Sequence, residues 1–357
     1  MSDLPSDAPP SPLASSARRR LTLAGVSLLG APLWPGGACA AIEKPDLTLA
    51  VGGKPTLYYL PLTLAERLGT FRDEGLSVEI VDFPGGAKAL QALVGGSADV
   101  VSGAYEHTIA MQTLAQKVQA FVLQGTNPGL ELGIVKAKWS AYSWPKDLKG
   151  MRVGVSAPGS STHMFVNHLL ASVGLTPDDV SIVGVGTGAG AVAAVRGGRI
   201  DALSSVEPVM SLLVKSGDLK IFHETISDAG TKAIFGGTLP AACLYARADF
   251  VRRHPGTVQA LTNAIVRALH WLKGASTEDV LKTVPPEYLL GDRGLYAAAF
   301  EKVRNAYSPD GLFTKKGVDA AYQVLLQHNA AVRRAPVLWL NETYTNAFVE
   351  RAGTSVR

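Results

Sequence analysis

Two cysteines in 357 residues, Cys39 and Cys243, are too few for a disulfide framework. Cys243 lies in the apolar run AACLYA, where a thiol acts as a small buried hydrophobe. Excess charge of either sign is missing as well: 34 lysines and arginines against 30 aspartates and glutamates give +4. No basic run carries interleaved aromatics, which excludes a nucleic-acid surface. His163 and His168 stand five apart, off a single helical face, so no metal site is expected, and no cofactor either. Beyond the amino terminus no run is apolar enough to cross a bilayer.

The first 40 residues differ from the rest. A Pro/Ser-rich start leads to Arg18-Arg19-Arg20, an apolar stretch Leu21 to Leu33, and then Gly36-Gly37-Ala38-Cys39-Ala40. A charged head, an apolar segment too short to span a membrane and an A-x-A ending describe an export signal. The expected destination is the periplasm, by the Sec route or, given the adjacent arginines, the twin-arginine route. Gly36 stands where a lipobox wants leucine, which argues against a lipid on Cys39. Cleavage after Ala40 removes three arginines and two aspartates, lowering the net charge from +4 to +3.

What the chain does have is an internal repeat. Residues 78–103 read VEIVDFPGGAKALQALVGGSADVVSG, and residues 180–205 read VSIVGVGTGAGAVAAVRGGRIDALSS, with 11 of 26 positions identical and no gap. Each copy is an apolar β-run, a glycine turn, an Ala-rich helix, a Gly-Gly stop and a second β-run, which is one right-handed βαβ unit used twice. Strands are also expected at 47–51, 118–124, 132–135, 151–155, 219–222 and 241–246, with mainly helices beyond, at 255–273, 277–283, 296–307 and 314–327. The alternation places the chain in the α/β class. A leader at 1–40, a first lobe from 41–137 plus 239–357, and a second lobe at 138–238 are the expected divisions. Two crossings between the lobes would make a hinge.

The stretch YYLPLTLAERLGTFRDEGLSVEIVDFPGGAKALQALVGGSADVVSG resembles the nitrate/sulfonate/taurine type of periplasmic substrate-binding protein. Its marks are a helix ending in LG, the run F-x-x-E-G-L-x-V-E, and the glycine turn with its helix. The likeness continues through DLKGMRVGVSAPGSSTH, GGRIDALSSVEP and RADFVRRHPGTVQAL. It implies the two-lobe, type II periplasmic-binding-protein fold: a mixed sheet flanked by helices in each lobe and a two-strand hinge. It implies no enzyme activity. The expected partners are a small ligand (organosulfonate, taurine or nitrate-like) and the permease subunits of an ABC importer, with the receptor a monomer that meets the membrane only through the permease. Receptors for thiamine-precursor pyrimidines are similar in the same segments, so a heterocycle is the alternative ligand.

Ligands in open α/β sheets bind beyond the carboxyl ends of strands, and five turns stand there. They hold Lys54 with Tyr58 just beyond; Gly85, Gly86 and Ala87; Gly103 and Tyr105; Ser160, Ser161 and Thr162; and Gly186, Thr187 and Gly188. Glycines admit a ligand to the backbone, and free N–H groups of a first helical turn favour negative charge. The three hydroxyls suit oxyanions, although plain N-capping accounts for them equally well. Glu207, before Pro208, matches the family's acidic-Pro position, and Glu106 lies near the equivalent place in the first copy. Two acids argue against a simple anion and for a ligand with donor groups. Tyr58, Tyr59 and Tyr105 would stack on a flat ligand or pack in the core.

Two enzyme readings compete. Gly184 to Ala189 satisfies G-x-G-x-x-A, but the acid expected about 20 residues on is missing and Asp201 begins its strand instead. The fungal pyrimidine synthases of thiamine biosynthesis resemble these receptors, yet carry a cysteine cluster that this chain lacks. A ligand sensor that signals through a membrane partner is the remaining class.

Overall fold

Residues 41–355 are described by the computed structural model, and their first strand explains how the repeat is used. Strand β1 (Asp46–Val51) is followed by helices α1 (Leu60–Arg67) and α2 (Thr70–Asp73), then β2 (Ser77–Asp82), α3 (Gly86–Val94), β3 (Val100–Ala104), α4 (Glu106–Gln112) and β4 (Val118–Leu123). The chain crosses to β5 (Glu131–Val135). Next come β6 (Arg152–Val155), α5 (Ser161–Ser172), β7 (Ser181–Gly184), α6 (Ala189–Arg196), β8 (Ala202–Ser205), α7 (Val209–Lys215), β9 (Leu219–Glu224) and α8 (Asp228–Phe235). It returns through β10 (Ala242–Arg247) into α9 (Ala248–Arg253), α10 (Pro255–Gly274), α11 (Thr277–Thr283), α12 (Arg293–Val303), α13 (Lys315–His328), α14 (Ala330–Arg334) and α15 (Ala347–Ser355). The expected export leader lies outside the described residues.

Two five-stranded sheets form, in the orders β2-β1-β3-β10-β4 and β7-β6-β8-β5-β9. In each, the repeat supplies an outer and an inner strand, and β1 or β6 runs parallel between them. The fourth strand is antiparallel and arrives from across a crossing: β10 in the first sheet, β5 in the second. Inner β3 and β8 are buried along their whole length, as their apolar runs require. Asp99 and Asp201, identical in the two copies, serve the same purpose. Asp99 Oδ2 accepts from the Thr48 N–H at 3.1 Å and Asp201 Oδ2 from the Arg152 N–H at 2.9 Å, each tying its strand to the inserted one.

The two crossings pair with each other. The Ala241 N–H donates to the Gly125 carbonyl at 2.9 Å, and the Thr225 N–H to the Leu130 carbonyl at 2.9 Å. The first crossing comes earlier than the expected division at 137/138, because β5 belongs to the second sheet. Its alternation gave no sign of which sheet it would join. Leu49, Leu62, Phe121, Leu261 and Phe300 lie in one core, where α1, α10, α12 and α15 cover the first sheet. A second core runs on from Val101 and Tyr105 through Leu132, Val155 and Phe165 to Val318 and Leu325, and α13 packs on both α4 and α5. Helices α8 and α15 are not apparent in the sequence pattern. The start of α8 is fixed by Ser227, whose Oγ accepts from the Gly230 N–H.

At the end of β1 the backbone passes so close to α3 that a Cβ on Gly52 would stand 2.2 Å from the Gly86 nitrogen. Backbone cannot yield as a flexible side chain does, so Gly52→Ala should cost about 2 kcal/mol or more of stability in a denaturant titration. A wild-type midpoint for that variant would contradict the packing described.

Candidate functional site

Turns from the two sheets meet face to face. Gly53, after β1, lies against Thr187, before α6: a Cβ on Gly53 would stand 2.5 Å from Thr187 Oγ1. A Cβ on Gly85 would stand 2.9 Å from that of Ala157. The Ala87 N–H donates to Ser160 Oγ at 3.0 Å, and the Leu57 N–H donates to the Glu207 carbonyl at 3.0 Å. Between them a cavity of about 20 Å³ is lined by Tyr58, Gly86, Ser161, Thr187, Ser205 and Val206, with others. That is room for roughly one water. Nothing larger fits between the turns as they stand.

Most turn amides are already engaged. The Gly53 and Lys54 N–H groups both donate to Asp82 Oδ1 at 2.8 Å. The Gly159 N–H donates to His163 Nδ1 at 2.9 Å, and the Gly186 N–H to the Ser156 carbonyl at 3.0 Å. Thr162 Oγ1 accepts from the Ser156 N–H at 3.0 Å, so this hydroxyl holds the loop before α5. Gly188 precedes the first turn of α6, its carbonyl accepting from the Ala191 N–H at 3.0 Å. No lysine or arginine lines the cavity among the described residues.

Side-chain oxygens and nitrogens on and behind its lining are unengaged instead: Tyr58 and Ser205 line it, whereas Glu106, His107 and Ser204 do not. Tyr58 Oη, Glu106 Oε1, His107 Nε2, Ser204 Oγ and Ser205 Oγ are buried without a hydrogen-bond partner. Burial pushes the Glu106 carboxyl up to about 7, against the lowering influence of its own N–H and of the Ser161 hydroxyl. Burial likewise pushes the His107 imidazole down to about 4, so it is neutral, with Nδ1 3.1 Å from the Tyr245 hydroxyl. Tyr58 and Tyr59 pack edge to face, ring centroids 4.8 Å apart. These hydroxyls, the neutral imidazole and a carboxyl raised to about 7 can each donate or accept a hydrogen bond, and buried polar groups left unpaired are costly.

Four of the expected site residues have other work. Lys54 Nζ pairs with Glu66 at 2.7 Å. Tyr105 turns into the core, its ring on Phe313 and its hydroxyl 2.5 Å from Thr343 Oγ1, so it offers no stacking face to the cavity. Gly103 leaves room for Tyr245, whose hydroxyl would stand 2.6 Å from an added Cβ. The Glu207 carboxylate accepts from the Ser211 N–H and hydroxyl and from Lys302 Nζ, at 2.9, 2.7 and 2.7 Å. Sequence reasoning missed Ser205 and Val206, although Ser205 is the repeat equivalent of Gly103 and was findable on that ground. Lys302 gave no signal, since only folding brings its helix to the second sheet.

Across residues 40–284 the sequence matches the NMT1-like family. The chain belongs to that family. An NMT1-like chain of this architecture has both binding proteins and enzymes among its relatives. The putative binding protein YtlA of Bacillus subtilis (strain 168) is 24% identical over 266 residues, covering 73% of this chain and 77% of that protein. The 4-amino-5-hydroxymethyl-2-methylpyrimidine phosphate synthase of Schizosaccharomyces pombe is 26% identical over 243 residues, 66% of each chain. A solved protein from Bordetella bronchiseptica RB50 is similar at 49% identity and a TM-score of 0.85, over 88% of this chain and 99% of its own. The alkanesulfonate-binding protein SsuA from Xanthomonas axonopodis pv. citri, bound to MOPS, reaches a TM-score of 0.65 at 20% identity, covering 86% of this chain and all of its own, 100%. That last likeness shows the fold, the two mixed sheets of periplasmic binding proteins that the family resemblance implied.

The Glu106 carboxyl titrates near 7 when folded, against an ordinary value of 4.5. Its contribution to stability is therefore full below pH 4.5 and is lost as pH rises through 7. Glu106→Gln should gain on the wild type by on the order of 3 kcal/mol between pH 4.5 and 8 in denaturant titrations. A difference that stays flat across that range would refute the assignment.

Proposed function

We propose that this NMT1-like chain is an exported receptor that shuts its two sheets over a small, donor-bearing solute, an aminopyrimidine or comparable amino heterocycle, and hands it to an ABC importer. The observation that carries this reading is the set of unpaired buried polar atoms on and behind the cavity lining, Glu106 Oε1 foremost, with no lysine or arginine in that lining among the described residues. A ring amine donates to such a carboxylate, and the Tyr58 and Tyr59 rings supply apolar faces for a flat molecule. Taurine is the second reading, favoured by the same carboxylate through its ammonium group. Nitrate and simple sulfonates find less here, since the Gly53, Lys54 and Ala87 amides are taken by Asp82 and Ser160.

Binding rather than catalysis is supported by the chemistry of the groups present. Cys243 is wholly buried, and burial, then the charge of Glu106, pushes its thiol up, away from a nucleophilic thiolate. Export to the periplasm follows the reading of residues 1–40, and delivery to permease subunits follows the receptor class, with the chain acting as a monomer.

Calorimetry and thermal shift with 4-amino-2-methylpyrimidine, taurine, ethanesulfonate and nitrate test this. Ligand at 100 times its Kd adds about 2.7 kcal/mol of stability. Glu106→Gln should weaken the amine-bearing ligands by roughly 1.5 to 3 kcal/mol, ten- to hundredfold. Tight nitrate or ethanesulfonate binding that Glu106→Gln leaves unchanged would overturn the donor-bearing assignment.

A further inference from the structure

Helix α12 belongs to the first core, where Tyr296, Phe300 and Val303 are buried, yet both of its ends reach the second sheet's elements. At its start Asp292 pairs with Lys215 of α7 at 2.5 Å. Near its end Lys302 Nζ stands 2.6 Å from Glu131 Oε1 and 2.7 Å from Glu207 Oε1. Glu131 opens β5, straight after the first crossing. Glu207 follows β8, beside the cavity-lining Ser205 and Val206. The two carboxylates are 1% and 0% exposed, while the Lys302 side chain is 39% exposed. Glu207 is held twice from the first body, its carboxylate by Lys302 and its carbonyl by the Leu57 N–H beside Tyr58.

We infer that Lys302, with Glu131 and Glu207, forms an electrostatic latch that holds the two sheets' turns shut. Lys302 is a positioning residue: its ammonium is outside the cavity lining and acts on the cleft through Glu207 and the strand end before it. Two carboxylates this deeply buried are relieved by the cation between them and by a proton that one of them retains. Removing the cation leaves them to be relieved by water, which reaches them when the turns separate. Glu131 Oε2 has no partner in the closed arrangement and would gain one on opening. The inference rests on the cleft being one that opens and shuts, and not on which solute it takes.

The test measures opening without any solute, so its failure is separable from failure of the ligand assignment. Nitroxide labels at Lys88→Cys on α3 and Ala193→Cys on α6, both exposed, report the separation of the sheets in the full chain carrying Cys39→Ser and Cys243→Ala. The parent should show one short interspin distance. Lys302→Met should shift the closed-to-open ratio at least tenfold toward a longer distance. Adding Glu131→Gln and Glu207→Gln to Lys302→Met should bring the short distance back, because no buried charge then remains. An unchanged distance in Lys302→Met overturns the latch, and so does a triple variant as open as the single one. Lys302→Gln takes the place of Lys302→Met in the same comparison where the methionine variant does not fold, as read by circular dichroism.

Discussion

Each sheet is completed by a strand that the chain can supply only by crossing over. β10 enters the first sheet between β3 and β4, and β5 enters the second between β8 and β9. The hydrogen bonds joining Gly125 to Ala241 and Leu130 to Thr225 hold the two crossings side by side. The positions of the glycine turns, the meeting of Gly53 with Thr187 and the reach of Lys302 to Glu131 all follow from that shared pair. A two-stranded connection bends more readily than the sheets it joins, and the opening proposed above would turn on it.

The cleft is made of hydrogen-bonding groups rather than charges. Its backbone amides are mostly satisfied from within, by Asp82, Ser160 and Thr162, whereas several buried side-chain polar atoms around it are not. The proposed ligand therefore differs from the simple anion suggested by glycine turns at helix starts. Glu106 is central to that proposal, being the acid whose carboxyl burial pushes up to about 7. Glu207, the other acid of the pair, is spent on Lys302 and Ser211 and serves the architecture.

Much of this was legible in the sequence. The repeat showed two equivalent βαβ units, and with them the class of fold and the turns that face the cleft. It would also have located Ser205, had Gly103 been carried across to the second copy. What stayed hidden was long-range. Nothing local told that β5 would join the second sheet, that Tyr105 would turn toward Phe313 and Thr343, or that α12 would bring Lys302 across. Those outcomes depend on contacts between residues about 70 to 240 positions apart, to which periodicity and spacing are blind. The capped helix α8 was missed for a different reason: its run DAGTKAIF is too short and too mixed to show a face.

The strand exchange also bears on the order in which the chain is made. When synthesis has passed β9, every strand of the second sheet exists, but β4 still has no neighbouring strand, because β10 has yet to appear. The first sheet thus waits for the second, with an apolar edge open to misjoining in the interval. A nascent chain of this kind gains from a chaperone, or from delayed collapse, until residue 247 is free of the ribosome.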